Sequence, residues 1–137
     1  MWWIFALLSA FFAALTAIFA KVGIKNVNTD LAIAIRTIVI LILTWGIVFF
    51  RGGTNTFNTL TKYNWLFLIL SGITTGLSWI FYFKALQLGK VSQVAPVDKL
   101  SLALVIIFSV VFLGETLTLK TVIGAGCIIT GTLVLVF

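Results

Sequence analysis

The chain has 137 residues, of which 62% are hydrophobic and 9% charged; nine bases against three acids give a formal charge of +6, and mean hydropathy is +1.27. A water-facing domain of this length carries about a quarter charged residues, so a soluble enzyme, a disulfide scaffold and a disordered tail are excluded. Five apolar stretches of about 20 residues, each able to cross a hydrocarbon core about 30 Å thick, would use about 100 positions and leave little mass outside a membrane.

The residue counts narrow the chemistry further. The absence of His removes imidazole metal sites and histidine proton relays. The single Cys127 cannot close an internal disulfide and reads as a small packing residue. The bases stand singly rather than in runs, which favours snorkelling to a lipid interface over a nucleic-acid surface. Neither a cofactor nor a metal is expected.

The first apolar segment, Trp2 to Ala20, is uncharged and ends at Lys21. It reads as a membrane span rather than a cleaved leader, because no basic region precedes it and Ile18 breaks a small-x-small cleavage pattern. A polar turn from Lys25 to Asp30 follows, in which Thr29 or Asp30 can cap the next helix. The second segment, Leu31 to Phe50, contains Arg36, and a loop rich in Gly, Asn and Thr runs from Arg51 to Lys62.

The third segment begins near Tyr63 and continues to Leu88, where Gly89 suits a left-handed C-terminal cap. Ser92 can cap the fourth segment, with Pro96 in or just past its first turn. That segment ends at Leu113-Gly114-Glu115, and Glu115 is expected to bond loop amides or cap the fifth segment. Apolar and polar residues do not alternate as β-barrel strands require. The expectation is an all-α integral membrane protein: one domain over 1–137 with helices at about 2–22, 31–50, 63–88, 93–113 and 117–137.

An odd number of spans puts the termini on opposite sides. Arg51, Lys62 and Lys120 then lie on the N-terminal side, and Lys21, Lys25, Lys84 and Lys90 on the other, with Arg36 and Lys99 deeper on that second side. This near balance gives a weak positive-inside bias and is compatible with insertion in both orientations. Trp2, Trp3, Tyr63 and Trp65 would form an aromatic belt on the N-terminal side.

Helical spacing collects Ser71, Thr75, Ser78 and Tyr82 into a polar stripe, beside Gly72, Gly76, Trp79 and Phe83. In the fourth segment it collects Asp98, Ser101 and Ser109. Such stripes either line a water-filled cavity or glue helices together through hydroxyl-to-backbone bonds. Arg36, Asp98 and Lys99 each lie between one and two turns inside their segments on the same side. A membrane-embedded charge is costly unless paired or hydrated, which makes Arg36 and Asp98 natural partners. Asp98 and Lys99, as helix neighbours, should point about 100° apart. The charges form either a register-setting ion pair or a net positive vestibule in which Asp98 is the acid deep enough for proton coupling.

From Tyr82 onward the sequence resembles the EamA-like domain of the drug/metabolite transporter superfamily. The residues that carry the resemblance are Tyr82-Phe-Lys-Ala85-Leu-Gln-Leu-Gly89, Val94-Ala-Pro96-Val97, Leu113-Gly-Glu115, and Gly124-Ala-Gly126 with Gly131. The five-span layout extends the likeness over the whole chain. Leu102 stands where members usually have proline, and Asp98-Lys99 where they usually have uncharged residues.

The resemblance implies a secondary transporter exporting small metabolites, amino acids or drugs from the cell across the inner (cytoplasmic) membrane. Most members look like two such domains fused as inverted halves, and this chain holds one half-transporter repeat. A homodimer, antiparallel or parallel, would supply the second. The expected lining is Arg36, Ser71, Thr75, Ser78, Trp79, Tyr82, Asp98, Lys99 and Ser101, with Gly72, Gly76, Gly124 and Gly131 at helix contacts and Gly89, Pro96 and Glu115 at turns. Two alternatives stand beside it. One is a small multidrug resistance-like proton/drug antiporter, although the first span lacks the buried carboxylate that class needs. The other is an accessory or heterodimer subunit for translocation of lipid-linked substrates.

Overall fold

The computed structural model describes residues 1–137 as helices without strands. Helix α1 covers Trp2–Gly23, α2 Thr29–Phe50, α3 Lys62–Leu88, α4 Val91–Asp98, α5 Ser101–Leu113 and α6 Leu119–Val136. Counting α4 and α5 together, five stretches are long and apolar enough to cross a membrane. Large apolar side chains stand exposed along all of them, among them Phe12, Ile42, Phe81, Phe112 and Val134. Leaving such a side chain in water instead of burying it costs about 1.5–3 kcal/mol. Lipid is therefore the solvent these helices require.

The chain divides into two compact units, one formed by Phe19–Gln87 and the other by Met1–Ile18 with Leu88–Phe137. In the first unit the α1–α2 turn is held against the end of α3. Asn26 takes the left-handed conformation at φ 61°, which asparagine tolerates better than most residues. The Lys21 ammonium donates to the Leu86 carbonyl, one of the last-turn acceptors that a helix end leaves without a partner. The Gln87 side-chain amide donates to the Val27 carbonyl at 3.0 Å and to that of Ile24 at 3.5 Å. Ile24 and Leu86 are fully buried beneath these bonds.

The cap of α2 is Asn28 rather than Thr29 or Asp30: its Oδ1 accepts from the Asp30 and Leu31 amides at 2.8 and 3.2 Å. Asn28 holds the extended backbone that a cap needs, whereas Thr29 and Asp30 are already helical. The segment expected as a loop after α2 contains a 3-10 helix, Gly53–Thr59, entered through Gly52 at φ 69°. Its Phe57 sits between Trp45 and Trp65, with ring centroids 6.2 and 5.7 Å away. Aromatic packing of this kind orders a segment that composition alone reads as irregular.

In the second unit the fourth span is broken. Pro96 lacks the N–H that would bond the Ser92 carbonyl, and its ring crowds the preceding turn. The backbone answers with tight bonds three residues apart, from Leu100 to Val97 and from Leu102 to Lys99, both 3.0 Å. Helix α4 therefore ends at Asp98, where one continuous helix over about 93–113 was expected. Its cap is Lys90, not Ser92, which lies within the first turn.

Gly89 is not among the left-handed residues; the left-handed glycines are Gly52 and Gly114. Only Lys90, in extended conformation, separates Gly89 from α4, so the backbone there goes straight into the next helix. Gly114 closes α5, where the Ser109 carbonyl accepts from the amides of both Gly114 and Glu115. Glu115 thus serves the turn through its backbone, and the cap of α6 is Thr118, whose hydroxyl accepts from the Thr121 amide at 3.2 Å. Ala103 and Thr132 are buried in this unit, and the Thr132 hydroxyl donates to the Pro96 carbonyl.

Candidate functional site

The chemistry-bearing residues fall into two groups, one in each unit. In the Phe19–Gln87 unit, Arg36 stands seven positions into α2, about 10 Å along the axis from its start. Trp79 stands nine positions before the end of α3, about 13 Å from it. The Arg36 guanidinium lies over the Trp79 ring at 4.1 Å from its centroid and 5.3 Å from that of Phe83. Trp79 and Phe83 are four residues apart, so one face of α3 presents both rings to one side chain. Tyr82 is half-buried and within electrostatic reach of Arg36.

Within its own unit Arg36 thus meets aromatic rings, while Asp98, its expected partner, belongs to the other unit. A guanidinium is planar, delocalised and weakly hydrated, so it stacks on an indole where an ammonium would not. Arg36 and Trp79 were both legible as lining candidates. Phe83 was legible only as a neighbour of the polar stripe, although its four-residue spacing from Trp79 was the signal that could have found it.

The rest of that stripe is partly self-satisfied. The Thr75 hydroxyl donates to the Ser71 carbonyl at 2.8 Å, and Thr74, outside the stripe, bonds the Leu70 and Ser71 carbonyls. Ser71, Thr75 and Ser78 are exposed. A Cβ added at Gly72 or Gly76 would meet no atom within 4 Å, so neither glycine marks a helix contact inside the chain. The same open space lies beside Gly124, Gly126 and Gly131.

In the other unit Asp98 is ion-paired with its neighbour Lys99, with 3.6 Å between Oδ2 and Nζ. The expectation was that these side chains point apart. Lys99 stands at the cap of α4 with right-handed backbone, and its long, flexible stem spans the angle to Asp98. The break also separates Asp98 from the helix carrying Ser101 and Ser109, so the three do not form one helical stripe. Ser101 is exposed at the start of α5, and the Ser109 hydroxyl donates back to the Ile106 carbonyl at 2.9 Å. Thr132 and its bond to Pro96 carry no distinguishing pattern in the sequence.

Five stretches long and apolar enough to cross a bilayer define the class, a multi-pass membrane protein. The chain belongs to the EamA-like transporter family, whose profile matches residues 1–137. It is similar to a protein of Sinorhizobium sp described as an uncharacterized transporter in the cobO 3′ region, with 51% identity over 134 residues, covering 98% of this chain and 95% of that protein. No solved structure matches it.

Proposed function

We propose that the chain is a secondary transporter of the cell (inner, cytoplasmic) membrane that exports small metabolites, amino acids or drugs by alternating access as an antiparallel homodimer. The observation that carries the reading is the family match across 1–137. Alternating access in many transporter folds works between two repeats around a midplane site. Five candidate spans supply one such repeat, and a second copy supplies the other.

The open glycine positions on α3 and α6 support pairing with another molecule. In lipid, small residues let helix backbones approach, and van der Waals packing rather than the hydrophobic effect holds them. The near balance of bases on the two sides supports insertion in both orientations.

The test is efflux from proteoliposomes containing the purified chain, together with labelling of single cysteines at Asn26 and at Thr56 in a Cys127→Ser background. Solute-dependent efflux is expected, with an impermeant maleimide reaching each site in part from each side. Labelling of each site from one side only would remove the antiparallel arrangement. Absence of flux for every metabolite, amino acid and drug tried would remove the transport reading.

A further inference from the structure

The guanidinium of Arg36 has one satisfied surface and one unsatisfied edge. Its face is covered by Trp79 at 4.1 Å, a contact with the ring quadrupole that uses none of its five in-plane N–H donors. It makes no salt bridge, and its electrostatic neighbour is the Tyr82 side chain. No buried side-chain nitrogen or oxygen in the chain lacks a partner, so the Arg36 donors stay accessible rather than sealed. An arginine this deep in a span is costly unless something pairs with it or hydrates it.

The unit offers no counter-ion at that depth. Its bases are Lys21, Lys25, Arg36, Arg51, Lys62 and Lys84, and its acid is Asp30, in the first turn of α2 about 9 Å along the axis from Arg36. Asp98 belongs to the other unit, where it pairs with Lys99. A planar fork whose face rests on an aromatic ledge and whose edge stays accessible is the geometry that receives a carboxylate or phosphate through two parallel hydrogen bonds.

We infer that the Arg36 guanidinium, braced by Trp79 and Phe83, is a binding subsite for an anionic group, a carboxylate or phosphate, and that the transported solute carries that group. The second half of this inference rests on the transport reading proposed above; the subsite itself does not.

Binding is measured on the purified full chain in uncharged maltoside micelles, following thermal unfolding and tryptophan fluorescence. Acetate, benzoate and inorganic phosphate are titrated at constant ionic strength, and phosphatidylglycerol separately. A ligand that binds only the folded chain raises its midpoint with a saturable dependence on concentration. A saturable response to the soluble anions, at least tenfold weaker in Arg36→Gln, is the expected result and identifies a dissolved solute as the source. A response to phosphatidylglycerol alone, equally lost in Arg36→Gln, supports the subsite and assigns it to a lipid headgroup.

An equal response in Arg36→Gln, or none that saturates in the native chain, overturns the inference. Should Arg36→Gln fail to fold, Arg36→Lys and Trp79→Leu decide. Each is expected to weaken binding severalfold, the first by losing the fork and the second by losing the brace. Unchanged affinity in both is the overturning result. Micelles carry no gradient, so anion binding with no proteoliposome flux would sink the transport reading and leave the subsite standing, and flux with no anion binding would sink this inference alone.

Discussion

The hydroxyl of Thr132 donates to the carbonyl of Pro96 at 3.3 Å, tying α6 to the turn where the fourth span breaks. Its single proton is shared with the Ile128 carbonyl of its own helix, the nearer acceptor at 2.8 Å. The Pro96 carbonyl has a second partner in the Lys99 amide at 3.0 Å. Losing the hydroxyl therefore orphans no acceptor. Thr132→Val, close to isosteric, is expected to lower stability by about 0.5–1 kcal/mol. Reversible denaturation in mixed micelles measures it, and a loss above about 2 kcal/mol would show that the bond organises the bend.

Pro96→Ala returns an N–H to the position facing the Ser92 carbonyl and removes a residue about 3 kcal/mol less favourable than alanine in a helix interior. The variant is expected to draw α4 and α5 into one helix, raise the unfolding midpoint and reduce transport severalfold. Helicity with efflux tests this. Unchanged efflux at a raised midpoint would mean that the bend plays no part in the transport cycle.

Glycine substitutions separate backbone need from surface need. Gly114 has φ 68°, so Gly114→Ala is expected to destabilise the chain by about 1 kcal/mol through strain at the end of α5. Gly76 is helical with open space beside it. Gly76→Leu should leave the unfolding midpoint of the monomer unchanged yet weaken association of copies in lipid, read by crosslinking yield. A monomer midpoint lowered as far as that of Gly114→Ala would place Gly76 in an internal contact.

In the proposed transport cycle Asp98, ion-paired with Lys99 at 3.6 Å, is the candidate for proton coupling. Asp98→Asn keeps the shape and removes the titrating group. Efflux driven by a pH gradient is expected to fall to the level seen without a gradient, and Lys99→Gln to keep a gradient dependence at altered rate. Gradient-driven efflux undiminished in Asp98→Asn would assign coupling to another group.

The apolar spans and the membrane class were legible in the amino-acid order, because hydropathy summed over about 20 consecutive residues is a property of the segment and needs no neighbour. The likeness to the EamA-like family was legible on the same terms, in short blocks at fixed spacing. Arg36 and Trp79 could each be picked out as candidates, but their contact could not.

Tertiary structure alone decided who meets whom. Arg36 stacks on Trp79 within one unit, and within the other Asp98 finds a counter-ion one residue away. Asn28, Lys90 and Thr118 take the caps that nearby residues of equal or better aptitude could have held. The physical reason is phase. Each helical residue turns about 100°, so a single tight turn after Pro96 redirects every side chain beyond it, and partner choice follows from directions that a linear pattern does not contain.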